Sequence, residues 1–501
     1  MTAAPVTAAP AARRGLPPVA LPALVFVLWL LVVPLVFGHR LLNSDGDLAR
    51  HLRHGETMLA QRGLIHADAF SFTMAGREFL GFEYGSQVLL ALAHRAGGLA
   101  GVTVLAGLLV AFTYAWIARL LLRRGVEPAL AALATMTAAV LGAMHWSARP
   151  HLFTFVGIVL LLDLLENRRR AWLAVPLFAL WANIHGGFVY GFVLCGMYVA
   201  GAAAARLLDR PRGTWAEARH PLLVLGLALP SALLTPHGTA LYGHLRRFFA
   251  TPDLFALTTE FHSPDFHTAN GKVFLGVLLL VVLALAFSRE RPTWTQLAVL
   301  CGNLAFALLA QRNIPLFGLT ALPLLAVHLD REWRRVPALA GVRERAAEDA
   351  ARGTTWPWVL PAAAAMLALG AAGGRLGGVR LLQSRFDPAV FPTALVSEAR
   401  SAGVDDNLLS EFTWSGYVLY AWPEQRVFVD PGSDFYGPAL LREYATMFEA
   451  RPGWRELLER WRIENVLVPA EAPIARELGR DPEWRVWGRD RSGVLLRRGA
   501  R

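Results

Sequence analysis

Long runs without a charged side chain constrain this chain most. Residues 16–38 and 273–288 contain no charged residue, and about twenty apolar residues in a helix span the hydrocarbon core of a bilayer. Of the 501 residues, 55% are hydrophobic and 17% are charged, whereas soluble domains carry about 25% charged residues. This composition excludes a cytosolic enzyme and predicts a polytopic membrane protein. Cys195 and Cys301 both lie in apolar segments, so neither a disulfide framework nor a thiolate metal site is expected.

Apolar segments of spanning length occur about eleven times along the chain. The second segment is long, and we expect it to break near Gly97-Gly98. A second break is expected at 183–187, where polar groups and backbone could line a cavity. The predicted segments are 20–38, 88–118, 128–145, 150–165, 171–185, 188–206, 220–236, 272–288, 294–310, 314–329 and 356–374.

One set of connections between these segments is short and rich in arginine. The positive-inside rule places such connections in the cytoplasm, and a single threading of the chain puts all of them on one side. This predicts a cytoplasmic N-terminal tail (1–19), a transmembrane domain (20–375) and a soluble extracytoplasmic domain (385–501). The formal net charge of +11 then reflects these connections and not a nucleic-acid partner. The first apolar run is too long for a secretory signal peptide.

The connections on the opposite face are polar and contain most of the histidines. Of the 14 histidines, all except His94, His220 and His328 lie in these outer loops or their flanks. A purely structural distribution would not favour one side so strongly. The functional face of the protein is therefore predicted to be extracytoplasmic.

The tail after residue 385 is predicted to be a small α/β domain. Short strand-like runs at 407–412, 426–430 and 465–469 alternate with helical segments, and this alternation favours a largely parallel sheet. The segment from Asp430 to Asp434 is a turn and a weak candidate for more. A folding or substrate-gating role is favoured for this domain over a catalytic one.

The most informative stretch follows the first membrane helix. Ser44 or Asp45 could cap a helix that runs to Gln61, and its leucines suggest a helix lying in the membrane interface. Asp47, His51 and His54 are spaced i, i+4, i+7 and share one face, which suits a general base or a cation site. In the alternative interpretations, Asp45 is only an N-cap and Asp47 with His51 is only a helix-stabilising pair. Tetrahedral zinc fits this stretched row poorly.

Further along this loop, Glu83 stands at the mouth of the second membrane helix in Phe82-Glu83-Tyr84. A carboxylate at that depth is costly unless it faces water, a cation or a sugar. The segment is followed by Gly85, and a structural role for Glu83 remains the alternative.

With these motifs the sequence resembles the GT-C superfamily of polytopic glycosyltransferases, which use lipid-phosphate sugar donors. The resemblance rests on the acidic motif Asp45-Gly46-Asp47 after the first membrane helix, on the helix ending in residues 55–63, and on Phe82-Glu83-Tyr84. The resemblance covers roughly residues 20–200. The superfamily includes the groups of protein O-mannosyltransferases, aminoarabinose transferases and rhizobial galacturonosyltransferases. The sequence departs from those groups in its Asp-Gly-Asp pair and in lacking a Lys-Pro after Glu83.

The resemblance implies a transferase that faces outward and takes its sugar from a polyprenyl-phosphate donor, such as undecaprenyl phosphate. It implies that Asp47 or Asp45 is the catalytic base, with inversion at the anomeric carbon. The acceptor would be a glycan, a lipid or a protein. Glu83 would orient a substrate or, with Asp45 and Asp47, complete a site for a divalent metal (Mg²⁺ or Mn²⁺).

A lipid-phosphate donor needs cations and polar groups at the outer surface. Arg149 and Arg312 sit at outer helix ends and suit phosphate, or they are interfacial arginines that reach for water. His151 and His185 could add hydrogen bonds, or they could be ordinary helix-end histidines. The loop 236–271 is either a sugar-binding wall or a solvated loop. The substrate-binding candidates are Glu83, His51, His54, Arg149, His151, His185, Arg312, Glu260 and His262.

Two other classes of protein compete with an inner-membrane transferase. A transporter or flippase of lipid-linked sugars would have a similar cavity without chemistry, but such proteins usually show internal repeats and polar residues at the bilayer midplane. Asp163 and Glu166 lie near a cytoplasmic helix end instead. A non-catalytic assembly factor would instead use the outer domain to bind a partner.

Overall fold

The computed structural model describes residues 18–168, 170–209, 215–251 and 259–499. Nearly all of the predicted cytoplasmic tail, 1–19, lies outside these residues. The first body is a bundle of helices in the order α1 (Leu21–Val36), α2 (Gly38–Asn43), α3 (Asp47–Gln61), α4 (Tyr84–Arg123), α5 (Pro128–Gly142), α6 (His151–Glu166), α7 (Ala174–Ala182), α8 (Phe188–Leu208), α9 (Ala216–Ser231), α10 (Ala240–Phe249), α11 (Ala269–Ala286), α12 (Trp294–Leu309), α13 (Ile314–Arg334), α14 (Ala340–Arg352) and α15 (Trp356–Ala371).

Every predicted apolar segment forms a helix, and the protein is a multi-pass membrane protein. Within the described ranges, five helices are long and apolar enough to cross a bilayer, and four shorter ones are also apolar. On α11 the side chains of Leu279, Leu280 and Val282 are more than half exposed, as expected of side chains that face lipid. The five helical segments long and apolar enough to cross a bilayer are Tyr84–Arg123, Pro128–His145, Phe188–Leu208, Ala269–Ala286 and Gln311–Arg334.

Both expected helix breaks are confirmed. Within α4, Gly97 and Gly98 leave helical geometry, and Gly98 has φ 60° and ψ −151°, a conformation that costs little only for glycine. Residues 183–187 separate α7 from α8.

Capping side chains explain where two other helices begin. The carboxylate of Glu127 accepts hydrogen bonds from the first N–H groups of α5, and Thr293 with Gln296 forms a capping box at the start of α12.

The C-terminal body is a small α/β domain, as predicted, but its sheet is mixed and not largely parallel. Among the strands described for this sheet, only β3 (Leu408–Ser410) and β4 (Asn465–Val468) pair in parallel. The last two strands, β5 (Trp484–Arg489) and β6 (Val494–Arg498), form a hairpin, and β6 pairs antiparallel with both β4 and β5. The strand order is β3-β4-β6-β5. The elements are β1 (Arg375–Leu376), β2 (Val379–Arg380), α16 (Thr393–Ser401), β3 (Leu408–Ser410), α17 (Phe412–Ala421), α18 (Ser433–Phe448), α19 (Trp454–Arg460), β4 (Asn465–Val468), α20 (Pro473–Leu478), β5 (Trp484–Arg489) and β6 (Val494–Arg498).

Helix α3 lies between α4 and the C-terminal domain, and the prediction that its leucines rest in the membrane interface is wrong. Leu48 and Leu52 are 1% and 0% exposed and belong to the protein core. Packing against other protein side chains removes the apolar face of a helix from water as effectively as contact with lipid does. The outer loop is also attached to the domain, since Thr73 donates a 2.6 Å hydrogen bond to the carbonyl of Phe428.

Candidate active site at the ends of the membrane helices

Four residues that the sequence singled out form one ion-pair cluster. The guanidinium of Arg149 lies 3.1 Å from the carboxylate of Asp45, 2.6 Å from that of Asp47 and 3.1 Å from that of Glu260. These residues come from the turn before α3, the start of α3, the segment before α6 and the loop after α10. The tertiary fold therefore brings together groups that are up to 215 residues apart in the chain, and Arg149 is the centre of the cluster.

Local structure explains how two of these segments meet. Asp45 accepts the N–H of Asp47 at 3.0 Å, so it both stabilises the start of α3 and pairs with Arg149. The segment carrying Arg149 is tied to α2, because Arg40 donates to the carbonyl of Met144 at 2.6 Å. Trp146, 1% exposed, packs edge-on against aromatic rings of α1 and its C-terminal end. The N-cap residue of α3 is Gly46 and neither Ser44 nor Asp45, so the predicted cap is wrong. Asp45 instead supports the turn before the helix through the N–H of Asp47.

Burial and charge set the protonation of the cluster. Burial raises the pKa of Asp47 to about 6, although Arg149 opposes this shift. Burial also acts to raise the pKa of Glu260, but Arg149 and Arg312 hold it below its ordinary value. Asp47 thus combines an anionic form at neutral pH with a higher proton affinity than an ordinary aspartate has, which suits a general base.

Glu83 forms a second group with two histidines. Its carboxylate lies 3.5 Å from Nε2 of His185 and 4.0 Å from Nδ1 of His51. Nδ1 of His185 is 2.7 Å from the hydroxyl of Thr154, which itself accepts the indole N–H of Trp181 at 2.9 Å. Because Nδ1 of His185 is an acceptor, its proton is assigned to Nε2, which faces Glu83.

The protonation of this second group follows from its burial. Burial raises the pKa of Glu83 to about 7, while Arg50 opposes the shift and Asp434 adds to it. Burial lowers the pKa of His185 to about 3, so its ring is neutral at physiological pH. The pKa of His51 is likewise well below its ordinary value because the ring is buried, and Gln87 lies 3.2 Å from its Nδ1. The group therefore pairs one carboxyl with neutral imidazoles.

Arg312 approaches the first cluster from the start of α13. Its guanidinium lies 4.5 Å from the centre of the ring of Phe261, and Phe261 is the residue after Glu260. Among the described residues, no carboxylate lies within 4.0 Å of the Arg312 guanidinium. Gln311 fastens the loop of Glu260 by donating to the carbonyl of Thr259 at 2.7 Å. A cleft of about 170 Å³ opens beside Glu260, and its polar lining includes His145, Glu260, Asp265, Asn270 and Gln311.

Three candidates lie apart from these contacts. His54 is completely buried and stacks on Phe70 at 4.2 Å, because seven residues along a helix is a rise of about 10 Å and carries it beneath the aromatic part of the outer loop. Nε2 of His151 is 2.6 Å from the carbonyl oxygen of His145, where it supports the turn before α6. The backbone carbonyl of His262 accepts the N–H of Gln311.

The sequence predicts a divalent-metal site at Asp45, Asp47 and Glu83, and the structure shows which side chains converge there. In the part of the chain that the structure describes, no three His, Cys, Asp or Glu side chains converge to hold an ion. The guanidinium of Arg149 contacts both aspartates and occupies the place between them that a cation would take. These residues therefore do not fit a metal in this arrangement.

Sequence reasoning missed the contribution of the C-terminal domain. Asp430, in the turn interpreted as a weak candidate, lies 2.9 Å from Nε of Arg50, and Asp434 lies 3.4 Å from Nε2 of His244. The two aspartates flanking Pro431-Gly432-Ser433 were the available signal. A turn with two carboxylates is common, and only the tertiary fold shows that it faces α3.

Comparison with known proteins identifies the fold of the chain. No protein-family model matches the sequence, and no curated protein does. Among solved structures, the archaeal oligosaccharyltransferase AglB from Archaeoglobus fulgidus has a TM-score of 0.56 at 12% identity over 90% of this chain and 69% of that one. ArnT from Cupriavidus metallidurans has a TM-score of 0.51 at 13% identity over 95% of this chain and 96% of that one. The chain has the GT-C fold.

A third neighbour with the GT-C fold is the mycobacterial arabinofuranosyltransferase AftD, with a TM-score of 0.53 at 16% identity over 96% of this chain and 40% of that one. AglB was solved with a dolichol-phosphate and an inhibitory peptide, and ArnT was also solved with undecaprenyl phosphate. The fold, a helical membrane domain with a small C-terminal α/β domain, is therefore similar to that of an oligosaccharyltransferase and of an arabinofuranosyltransferase.

Proposed function

We propose that this chain is a glycosyltransferase of the bacterial inner membrane. It takes a sugar from a polyprenyl-phosphate donor, such as undecaprenyl phosphate, and transfers it to a hydroxyl of an extracytoplasmic glycan, lipid or protein. The observation that carries the proposal is the contact between Asp47 and Arg149 at the start of the first outer loop, within a GT-C fold. The lipid phosphates bound to ArnT and AglB support the class of donor.

In the proposed mechanism, Asp47 accepts the proton of the acceptor hydroxyl. The hydroxyl oxygen then bonds to the anomeric carbon, with inversion, while the bond from that carbon to the phosphate oxygen breaks. The departing lipid phosphate is stabilised by Arg312, because a guanidinium without a close carboxylate can take a phosphate bidentately. Arg149 keeps Asp47 ionised and in place, and Asp45 shares that charge.

The remaining polar groups bind substrate in this proposal. Glu83 hydrogen-bonds to sugar hydroxyls, which its carboxyl can do in either protonation state, and His185 keeps the carboxyl in position through its Nε2 proton. The cleft beside Glu260 offers carboxylate, amide and imidazole groups to a second sugar or to the acceptor. Such convergent polar side chains in a small cleft are typical of sugar-binding sites.

The test is a transfer assay with purified protein and a panel of labelled polyprenyl-phosphate sugars, with and without a chelator. We expect release of polyprenyl phosphate from at least one donor, and we expect activity to persist in the chelator because Arg149 supplies the positive charge between the aspartates. Turnover that stops in the chelator and returns with added Mg²⁺ or Mn²⁺ would show that a metal displaces Arg149. No release from any donor would contradict the function itself.

The pH dependence of transfer provides a second prediction. Because Asp47 must be ionised and burial raises its pKa to about 6, kcat/KM should fall tenfold for each pH unit below about 6. The measurement is a pH profile of kcat/KM between pH 4.5 and pH 8 in detergent, with protein integrity checked at each pH. A profile that stays flat down to pH 4.5 would exclude Asp47 as the base.

A further inference from the structure

The turn at 430–434 of the C-terminal domain reaches into the membrane-proximal site through a buried ion pair. The carboxylate of Asp430 lies 2.9 Å from Nε of Arg50, and their side chains are 4% and 9% exposed. A charge buried this deeply is stable only beside an opposite charge. Asp430 is the one carboxylate within 4.0 Å of Arg50 among the residues described, so the outer domain supplies the partner for a cation on α3.

Arg50 lies close to both carboxyl groups of the proposed chemistry. It follows Asp47 by three residues on α3, so the two side chains project from neighbouring positions of the helix surface. Its charge acts to lower the pKa of Asp47 and that of Glu83. Burial acts to lower the pKa of Arg50, but the carboxylates of Asp430 and Asp47 hold it above its ordinary value. Asp430 and Asp47 therefore compete for the same guanidinium.

The turn is built to keep this guanidinium on the side of Asp430. Oδ1 of Asp430 accepts the N–H of Gly432 at 2.7 Å, which fixes the carboxylate. A Cβ at Gly432 would collide with Nη2 of Arg50, so a larger residue there would displace the guanidinium from its place beside Asp430. On the other side of the turn, Asp434 faces His244 of α10. The turn thus contacts the membrane domain at two separate helices.

We propose that Asp430 is a positioning residue of the transferase, which holds Arg50 away from Asp47 so that Asp47 remains basic enough to accept a proton. The proposal rests on the proposed function and assigns the C-terminal domain a direct part in it. Asp47 already contacts Arg149 at 2.6 Å, while Asp45 and Glu260 act to raise its pKa again. A second arginine in contact with Asp47 would stabilise its ionised form further and weaken it as a proton acceptor. The proton affinity of Asp47 therefore depends on the docking of the C-terminal domain, because that domain carries Asp430.

The test uses the acid limb of the kcat/KM profile, which reports the pKa of Asp47. Asp430→Asn leaves the charge of Arg50 uncompensated, so the limb should move to lower pH by roughly one unit and kcat should fall about tenfold. Arg50→Gln removes the positive charge, so the limb should move to higher pH. The double variant should lie between the two. A residue that only joins two domains would lower activity without moving the limb.

The matched control is Asp406→Asn, which removes a carboxylate paired with Arg497 at 2.8 Å inside the same domain and should leave the limb in place. Asp430→Glu keeps the charge and should give the wild-type limb. If Asp430→Asn does not fold, the shift of Arg50→Gln to higher pH remains the test. The proposal would be overturned if the acid limbs of Arg50→Gln and Asp430→Asn coincided with that of the wild type. It would also be overturned if both limbs moved in the same direction. Inactive wild-type protein would instead refute the proposed function.

Discussion

Asp47→Asn should lower kcat by roughly 10²–10⁴-fold, the contribution of a positioned general base, without a comparable change in donor affinity. The amide keeps the size of the side chain but cannot accept the proton of the acceptor hydroxyl. It still lies beside Arg149, which keeps Asp45 and Glu260 as partners, so the fold should survive. The measurement is kcat and KM for transfer, together with donor binding at equilibrium.

Asp481→Asn provides the matched control for this variant. Asp481 also pairs with an arginine, Arg455 at 2.8 Å, but on the surface of the C-terminal domain, and its replacement should leave kcat within about twofold of wild type because exposed pairs contribute little. Asp45→Asn should retain more activity than Asp47→Asn. Turnover of Asp47→Asn near the wild-type rate, or activity lost only in Asp45→Asn, would move the base to another residue.

Arg149→Gln should have the largest effect on stability among single changes at the site. It leaves Asp45, Asp47 and Glu260 without their shared cation. Because the side chain of Arg149 is 22% exposed, the cost should approach but not exceed the value of about 3 kcal/mol for breaking a fully buried ion pair. The pKa of Asp47, already above its ordinary value, then rises further in the folded state, and the pKa of Glu260 rises because Arg149 no longer lowers it. The folded state binds more protons than the unfolded one, so the deficit should shrink as the pH falls from 8 to 5.

Thermal unfolding in detergent between pH 5 and pH 8 measures this effect. Arg331→Gln is the control, because Arg331 pairs with Glu290 at 2.7 Å while its own side chain is 72% exposed, and its removal should leave the unfolding temperature close to that of wild type at any pH. Arg149→Lys should recover part of the stability but little of the transfer, since an ammonium cannot reach three carboxylates in a fork. A deficit for Arg149→Gln that grows as the pH falls would contradict the cluster.

The membrane helices could be predicted from sequence because the bilayer imposes a simple rule on them. Uncharged runs must be helical in lipid, and a Gly-Gly pair within a long run marks the point where the helix is easiest to break, as Gly97 and Gly98 show. The direction of the strands was harder. Strand β6 pairs with β4 through a return hairpin, and local alternation of apolar residues does not encode which neighbour a strand selects.

The site was predictable to the extent that each charged residue stands at the outer end of an apolar segment. Asp45, Asp47 and Arg149 all follow this rule and meet. His54 satisfies the same helical spacing, yet it is buried against Phe70, because spacing alone does not show where the loop folds over the helix. The role of Asp430 depends on how two domains dock, and helical spacing carries no information about that.

The most direct test of the central claim distinguishes chemistry from transport of the same lipid. Purified protein in proteoliposomes, with labelled polyprenyl-phosphate sugar and an acceptor in the outer solution, is analysed by mass spectrometry for the lipid product, alongside Asp47→Asn. The account predicts equimolar polyprenyl phosphate and glycosylated acceptor with the wild type and neither with the variant. An intact donor that crosses the bilayer at equal rates with both proteins would contradict it.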